Sequence, residues 1–348
     1  MKILGPGDFI GVIPCMSGHS QIETVIAITD VTGISVRRDQ YPELILRNTP
    51  VAMKIIRTFA NSMRSMNETL TKLTLNNVVA DTPEHMFDVA DFYDKSGFSD
   101  IAIYAYYQYL KACPRGANAE KAKSRFIVLK ARTHAVFFES TPDLLRVYPK
   151  GTMIFSESQS GSDMFIIQDG QVKISKVVDG NEVTLAMLKK GDMFGEMALL
   201  ENKPRSASAI AHEQCKLMVV NRQNFDLMVA TQPQLISRLT TMLADRLWSM
   251  SRQLDNANLK DLLHKLIDML ALQVEKTKLN FMQANVQYQT DLTPYDLANM
   301  CGIPKEQQAE SLLRLQSDSH VRFVNGKILV PDCMELVKQA AFYRKQSV

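Results

Sequence analysis

At 348 residues and a formal net charge of +3, the chain is too nearly neutral for charge alone to call for a polyanionic partner. A hydrophobic fraction of 46% and a charged fraction of 22% are those of a soluble globular protein of two or three domains. No apolar run approaches the ~18 residues of a membrane span, MKILGPGDFI carries no secretory core, and the scattered Cys15, Cys113, Cys215, Cys301 and Cys333 lack metal or redox spacing. A cytoplasmic chain with reduced thiols and no membrane partner is expected.

In chain order, residues 1–45 alternate apolar and polar positions in TVIAITDVTGISV, a strand signal broken by Gly and Pro. From Pro50 to about Leu75 a stripe of Met53, Ile56, Phe59, Met63, Met66 and Leu70 predicts a helix. Residues 81–132 read as helical throughout. Residues 143–230 return to strands in KGTMIF, DMFIIQDGQVKISKVV and EVTLAMLKKGD, with hairpins at Asp-Gly and Gly-Asn. A long helical stretch covers 232–276. Residues 281–348 mix a short strand, helices and a hairpin at Val324–Val330 turning on Asn325-Gly326.

One template is written twice. GDMFGEMALLENKPRSASAIA (191–211) lies without a gap over GDFIGVIPCMSGHSQIETVIA (7–27) at an offset of 184 residues, and SVRRDQYPEL (35–44) lies over VVNRQNFDLM (219–228) at the same offset. Gly7, Asp8, Gly11 and Ala27 match Gly191, Asp192, Gly195 and Ala211, but Val12 faces Glu196 and Gln21 faces Arg205. Only residues 1–6 precede the first Gly-Asp, whereas strands precede the second. The first copy is thus half a domain as written; either the start codon lies upstream or another element completes its sheet.

The complete copy carries the chemistry. A Gly195-Glu196 turn opening a short helical stretch offers free backbone amides to an anion. Arg205 has forked donors suited to a phosphate, and Ser206 and the Ala207 amide add donors. A carboxylate in a phosphate pocket needs another partner, and a sugar hydroxyl suits Glu196. A structural Glu–Arg pair in a turn is the alternative.

FGEMALLENKPRSASA resembles the phosphate-binding cassette of cyclic-nucleotide-binding domains, with its FGE-x-A-L and P-R-[AST]-A pattern. That family includes the bacterial catabolite activator proteins (Crp/Fnr regulators) and the regulatory subunits of cyclic-AMP-dependent protein kinase, and the resemblance covers about residues 135–252. It implies an eight-stranded jelly-roll followed by a long helix. It also implies that Glu196 binds a ribose 2′-hydroxyl and Arg205 the cyclic phosphate of cyclic AMP or cyclic GMP, with Gly195, Met197, Ala198, Ser206 and Ala207 completing the cradle. Lacking both groups, the first copy is expected to be degenerate. Ile236, Leu239, Leu243, Leu247, Met250 and Leu254 form a helix seam suited to a homodimer. The alignment puts Met250 and Ser251 near the nucleobase, where Trp248 either caps the ring or belongs to the core.

TPYDLANMCGIPKEQQAESLLRLQSDSHVRFVNGKILV resembles the winged helix-turn-helix of the same regulators, with Thr293 as helix N-cap and Pro294 at the first position. The resemblance places Lys305, Glu306, Gln307 and Gln308 at double-stranded DNA, although residues 252–348 hold about as many acidic as basic side chains. Between the barrels, Tyr93, Gly97, Ala102, Tyr106 and Pro114 fall at the spacing of a tetratricopeptide repeat, which would offer a protein-docking face; a plain helical linker is the alternative.

The expected architecture is multidomain α+β. Residues 1–78 form a partial β-roll plus helix, 79–132 a helical insert, 133–252 a complete jelly-roll with a long helix, and 253–348 a winged helix-turn-helix. The function read from it is a cyclic-nucleotide-sensing transcription factor that binds DNA as a dimer. The alternative is a ligand-gated scaffold acting through the insert. The histidines form no cluster with Cys, Asp or Glu, and no nucleophile motif is present, so neither catalysis, metal nor cofactor is expected.

Overall fold

The computed structural model describes residues 3–75, 82–139, 141–178, 180–277, 279–280, 283 and 285–346. It begins with a short helix α1 (Val12–Ser17), an irregular segment, α2 (Tyr41–Arg47) and the long α3 (Thr49–Leu75). Three helices follow, α4 (His85–Lys95), α5 (Ser99–Ala112) and α6 (Ala119–Lys130). The strand-rich part comprises β1 (Leu145–Tyr148), β2 (Met153–Phe155), β3 (Met164–Asp169), β4 (Val172–Val178), β5 (Asn181–Leu188), β6 (Met193–Phe194), α7 (Glu196–Glu201), β7 (Ser208–Ala211) and β8 (Cys215–Val220). Helices α8 (Arg222–Thr231), α9 (Pro233–Ala257) and α10 (Leu262–Glu275) lead to β9 (Tyr288–Gln289), α11 (Pro294–Met300), α12 (Lys305–Gln316), β10 (Arg322–Val324), β11 (Lys327–Val330) and α13 (Cys333–Gln346).

Strands β1 to β8 form two four-stranded sheets, ordered β1-β8-β3-β6 and β2-β7-β4-β5. Every pairing within them is antiparallel. Their inward faces meet in a core of Tyr148, Phe155, Phe165, Phe194, Val172 and Leu217. This jelly-roll-like pair of sheets in a mixed helix-and-strand chain is the expected central feature. Apolar side chains on the inner faces supply its driving force.

The N-terminal segment departs from expectation. TVIAITDVTGISV forms no strand: residues 18–37 carry no regular element. Ile26, Ile28 and Val31 are exposed, and Ile34 is 95% exposed. The reason is the missing ladder. The stretch one offset later forms β7 and β8, and each is flanked by two strands, β2 and β4 for β7 and β1 and β3 for β8. No described strand flanks residues 24–36, so their amides and carbonyls gain nothing by extending. The helices do recur in position: α1 lies one offset from α7, and α3 one offset from α9.

Helix α3 packs along α9 in the same chain. Ala52, Ile55, Ile56, Phe59, Ala60 and Met63 share one buried cluster with Ile236, Leu239, Leu243, Ala244, Leu247 and Met250. The seam expected to bind a second copy is therefore closed by the chain's own helix, because both helices carry an apolar stripe of matching spacing.

Helices α4 and α5 form an antiparallel hairpin turning at Gly97, whose φ of +82° favours glycine. Tyr93, Ala102 and Tyr106 are fully buried in it. The hairpin lies on the second sheet through Met153, Val177 and Ile210. Tyr93 Oη donates to Glu182 Oε1 at 2.6 Å. At the C-terminal end, α10 to α13 share one apolar core with the three-stranded sheet β10-β11-β9, Leu266, Leu297, Leu312 and Leu336 clustering with Ile328 and Val330. The β10–β11 hairpin turns on Asn325 (φ +51°) and Gly326 (φ +73°), as the sequence predicts. Thr293 caps α11 through a capping box with Asp296.

Candidate functional site

Strand β6 delivers the chain to Gly195, and α7 starts at the next residue. Gly195 has a φ of +79°, and a Cβ there would lie 2.7 Å from Arg205 Nη1 and 3.1 Å from the Asp163 carbonyl. Only glycine meets both demands. Asn202, in the left-handed region with φ +55°, ends α7 and turns the chain toward Pro204 and Arg205.

The two charged groups singled out in the sequence converge here. Arg205 is 5% exposed. Its Nη1 donates to the Gly195 carbonyl and its Nη2 to the Asp163 carbonyl, both at 2.7 Å. Its Nε is buried without a hydrogen-bond partner. The guanidinium carbon sits 4.2 Å from the Phe155 ring centroid. Burial pushes the Arg205 pKa down to about 10 against the opposing pull of Asp163, Tyr104 and Glu196, so the group stays charged at neutral pH. Glu196 is 2% exposed, and its Oε1 accepts from Arg246 Nη1 of α9 at 3.1 Å. Arg246 also donates to the Met193 carbonyl. Met197 and Ala198 are buried on α7, Ser206 Oγ lies 3.7 Å from Met197 Sδ, and Ala207 is buried against Val183 and Leu185 of β5. Gly195, Glu196, Met197, Ala198, Arg205, Ser206 and Ala207 thus share one turn-and-helix unit.

The residues expected from α9 divide. Met250 lies in the same apolar cluster as Met197. Ser251 is half-buried beside it. Trp248 faces the other way: it stacks on His19 with ring centroids 3.7 Å apart and packs with Leu266, Leu270 and Leu297. It sits in the core that joins α9 to the C-terminal unit, the second of the two places the sequence allowed for it. The sequence reading passed over Gln253 and Arg246, and it placed Leu254 on the helix seam rather than beside the cradle. Leu254 packs beside Ala207, and Gln253 Nε2 donates to the Leu185 carbonyl at 3.1 Å while its Oε1 is buried without a partner. Arg246 stands one turn before Met250, and that i, i+4 spacing was the available signal.

Helix α9 also grips the C-terminal unit. The buried Asp268 of α10 meets Arg252 Nη2 at 3.3 Å and Asn256 Nδ2 at 3.0 Å, and it pairs with Arg344 of α13. Lys305, Glu306 and Gln307 are exposed at the start of α12, where Lys305 Nζ lies 5.2 Å from the Phe92 ring of α4. Gln308 is not available to a base edge. It is 6% exposed, and its Nε2 donates to Asn299 Oδ1 at 2.9 Å and to the Ile303 carbonyl at 2.8 Å, fastening α12 to α11.

Residues 145–232 match the family model of the cyclic nucleotide-binding domain. Over 198 residues the chain is 27% identical to the cyclic AMP receptor protein of Thermus thermophilus, covering 57% of this chain and 88% of that one. It is 42% identical over 67 residues to the cAMP-dependent protein kinase regulatory subunit of Mycosarcoma maydis, covering 19% of this chain and 13% of that one. Among solved structures, a CooA mutant from Carboxydothermus hydrogenoformans gives a TM-score of 0.48 at 20% identity, covering 57% of this chain and 87% of that one. The cassette residues Gly195 to Ala207 lie inside the matched cyclic nucleotide-binding domain; Arg246, Met250 and Ser251 follow it. Among the described residues, no group of three or more His, Cys, Asp or Glu could hold a metal ion, and no helix is long and apolar enough to cross a membrane.

Proposed function

We propose that this chain senses a cyclic nucleotide, cyclic AMP or cyclic GMP, and acts as a transcription regulator. The carrying observation is the pairing of a buried guanidinium and a buried carboxylate around Gly195, with Arg205 Nε free to donate. Arg205 takes the cyclic phosphate, exchanging carbonyl partners for a charged one, which strengthens each hydrogen bond. Glu196 takes the ribose 2′-hydroxyl. Amides of Met197, Ala198 and Ala207, and Ser206, complete the cradle, and Met250 and Ser251 stand toward the base.

The output follows from Arg246. A ribose hydroxyl on Glu196 competes with the α9 guanidinium for one carboxylate. Displacing Arg246 shifts α9, and Arg252 and Asn256 carry that shift to Asp268 and the C-terminal unit. Such an exchange of partners supplies the two arrangements and the connecting route that an allosteric reading requires. Residues 253–348 act as a winged helix-turn-helix, with Lys305, Glu306 and Gln307 presented to duplex DNA. Residues 1–78 are a degenerate copy that lost both ligand groups, 79–132 a tetratricopeptide-like insert, and 133–252 the sensing domain. The names of two relatives support the ligand in this reading, a cyclic AMP receptor protein and a cAMP-dependent protein kinase regulatory subunit.

A second reading, a ligand-gated scaffold, draws on Lys305 lying over Phe92, which puts the insert in front of α12. Selection of sites from random duplexes, with and without cyclic AMP, separates the two. A ligand-dependent enriched site supports the regulator; no enrichment under either condition leaves the scaffold.

A further inference from the structure

We propose that α3 acts within the chain as a clamp on the nucleotide cradle, with Arg64 as its positioning residue; this rests on the cyclic-nucleotide reading above. Arg64 is 7% exposed, an unusual place for a guanidinium without a dedicated partner. Its Nε donates to Glu201 Oε2 at 2.6 Å, and its Nη2 donates to the Pro204 carbonyl at 3.1 Å. Glu201 is the last residue of α7, and Pro204 immediately precedes Arg205. The clamp therefore holds both ends of the short loop that leads to the phosphate-binding side chain.

Farther along the same helix the contact continues. Leu70 is buried against Val183, Leu185 and Ala207, with Leu254 and Ala257 of α9 packed against the same cluster. Asn67 and Thr71 are buried on neighbouring turns of α3. The cradle is thus bounded on one side by a helix from outside residues 145–232, the range that matches the cyclic nucleotide-binding domain.

The carboxylate of Glu201 explains why the contact is more than packing. Its side chain is 3% exposed, its Oε1 has no hydrogen-bond partner, and among the described residues the other cation paired with it, Lys203 Nζ, stands 3.9 Å from Oε2. Without Arg64, that carboxylate is a buried charge with only a distant counter-ion. It escapes by moving toward water, and the 201–205 loop moves with it. Arg205 then leaves its place between Gly195 and Asp163. By linkage, a ligand that fixes Arg205 also tightens the grip of α3. This gives residues 3–75 a role despite Val12 and Gln21: they set the affinity of a site they do not contain.

Calorimetric titration of cyclic AMP into the full chain tests this, with Arg64→Ala, Arg64→Lys and Ile56→Val compared. Ile56 is a buried α3 residue on the α9 seam, so its variant reports loss of helix packing alone. Arg64→Ala is expected to weaken binding about tenfold, within the usual range of coupling between sites. Arg64→Lys should fall between it and the parent, since an ammonium cannot reproduce both forked contacts. Ile56→Val should bind as the parent does. Equal affinity of Arg64→Ala and the parent overturns the clamp while leaving the cyclic-nucleotide reading intact. Equal losses in Arg64→Ala and Ile56→Val overturn it as well, as a stability effect. A parent chain that binds neither cyclic AMP nor cyclic GMP overturns both readings together. Should Arg64→Ala not fold, amide exchange in the parent decides: slowed exchange in α3 on adding cyclic AMP supports the clamp, and unchanged exchange contradicts it.

Discussion

Arg246 of α9 donates to Glu196 Oε1 at 3.1 Å, so the carboxylate of the cradle is tied directly to the helix that carries the C-terminal unit. The same helix meets Asp268 through Arg252 and Asn256. Binding at one end and position at the other share a single element.

Arg246→Ala should therefore uncouple the two ends. Cyclic AMP should slow amide exchange in α10 of the parent chain and leave it unchanged in the variant, while calorimetry still shows binding. A variant that binds cyclic AMP and keeps the α10 response would place the link elsewhere.

The closed α3–α9 seam makes Leu243 an internal core residue. Leu243→Ala should destabilise the chain by about 2–5 kcal/mol, as cavities in packed cores do. Urea unfolding measures this, and sedimentation of the folded variant should match the parent. Conversion of a parent dimer to monomers would instead show that α9 meets a second copy.

His85 joins the insert to the jelly-roll. It is buried with Nε2 at 3.3 Å from Glu157 Oε2 and Nδ1 at 3.5 Å from Asp88. Burial opposes its protonation, but the Glu157 and Asp88 carboxylates outweigh that and raise its pKa above 6.5. A raised histidine contributes stability that is fully present below the unfolded value and is lost as pH rises through the folded one. Thermal unfolding should show the parent losing more stability between pH 6 and pH 9 than His85→Gln does. Parallel pH profiles would remove the ion pair from the account.

At α12, Lys305→Ala should weaken binding to a selected duplex and make its salt dependence shallower, since one phosphate or base contact is lost. Gln308→Ala should act through folding instead, because its amide bridges Asn299 and the Ile303 carbonyl. The unfolding curve, more than the binding slope, should move.

Much of this was legible in the sequence because the signals were local. The Thr293 capping box, the Asn325-Gly326 hairpin and the spacing from Gly195 to Arg205 each depend on residues close in the chain. The misses share a different cause. Alternation in TVIAITDVTGISV promises a strand only where a ladder partner exists, and the pattern cannot report one. The stripe on α9 shows that a partner helix is needed but not that α3 supplies it. Trp248 and Gln308 face the core because of what packs opposite them, His19 and Asn299, which spacing along their own helices does not reveal.

The central claim is a single cyclic-nucleotide site built on Glu196 and Arg205. Calorimetric titration of cyclic AMP and cyclic GMP into the full chain, repeated with Arg205→Ala, tests it most directly. One equivalent per chain is expected for the preferred nucleotide, and Arg205→Ala should lose about 2–5 kcal/mol of binding as a buried anion is left without its charged donor. Two equivalents per chain, or undiminished binding by Arg205→Ala, would contradict it.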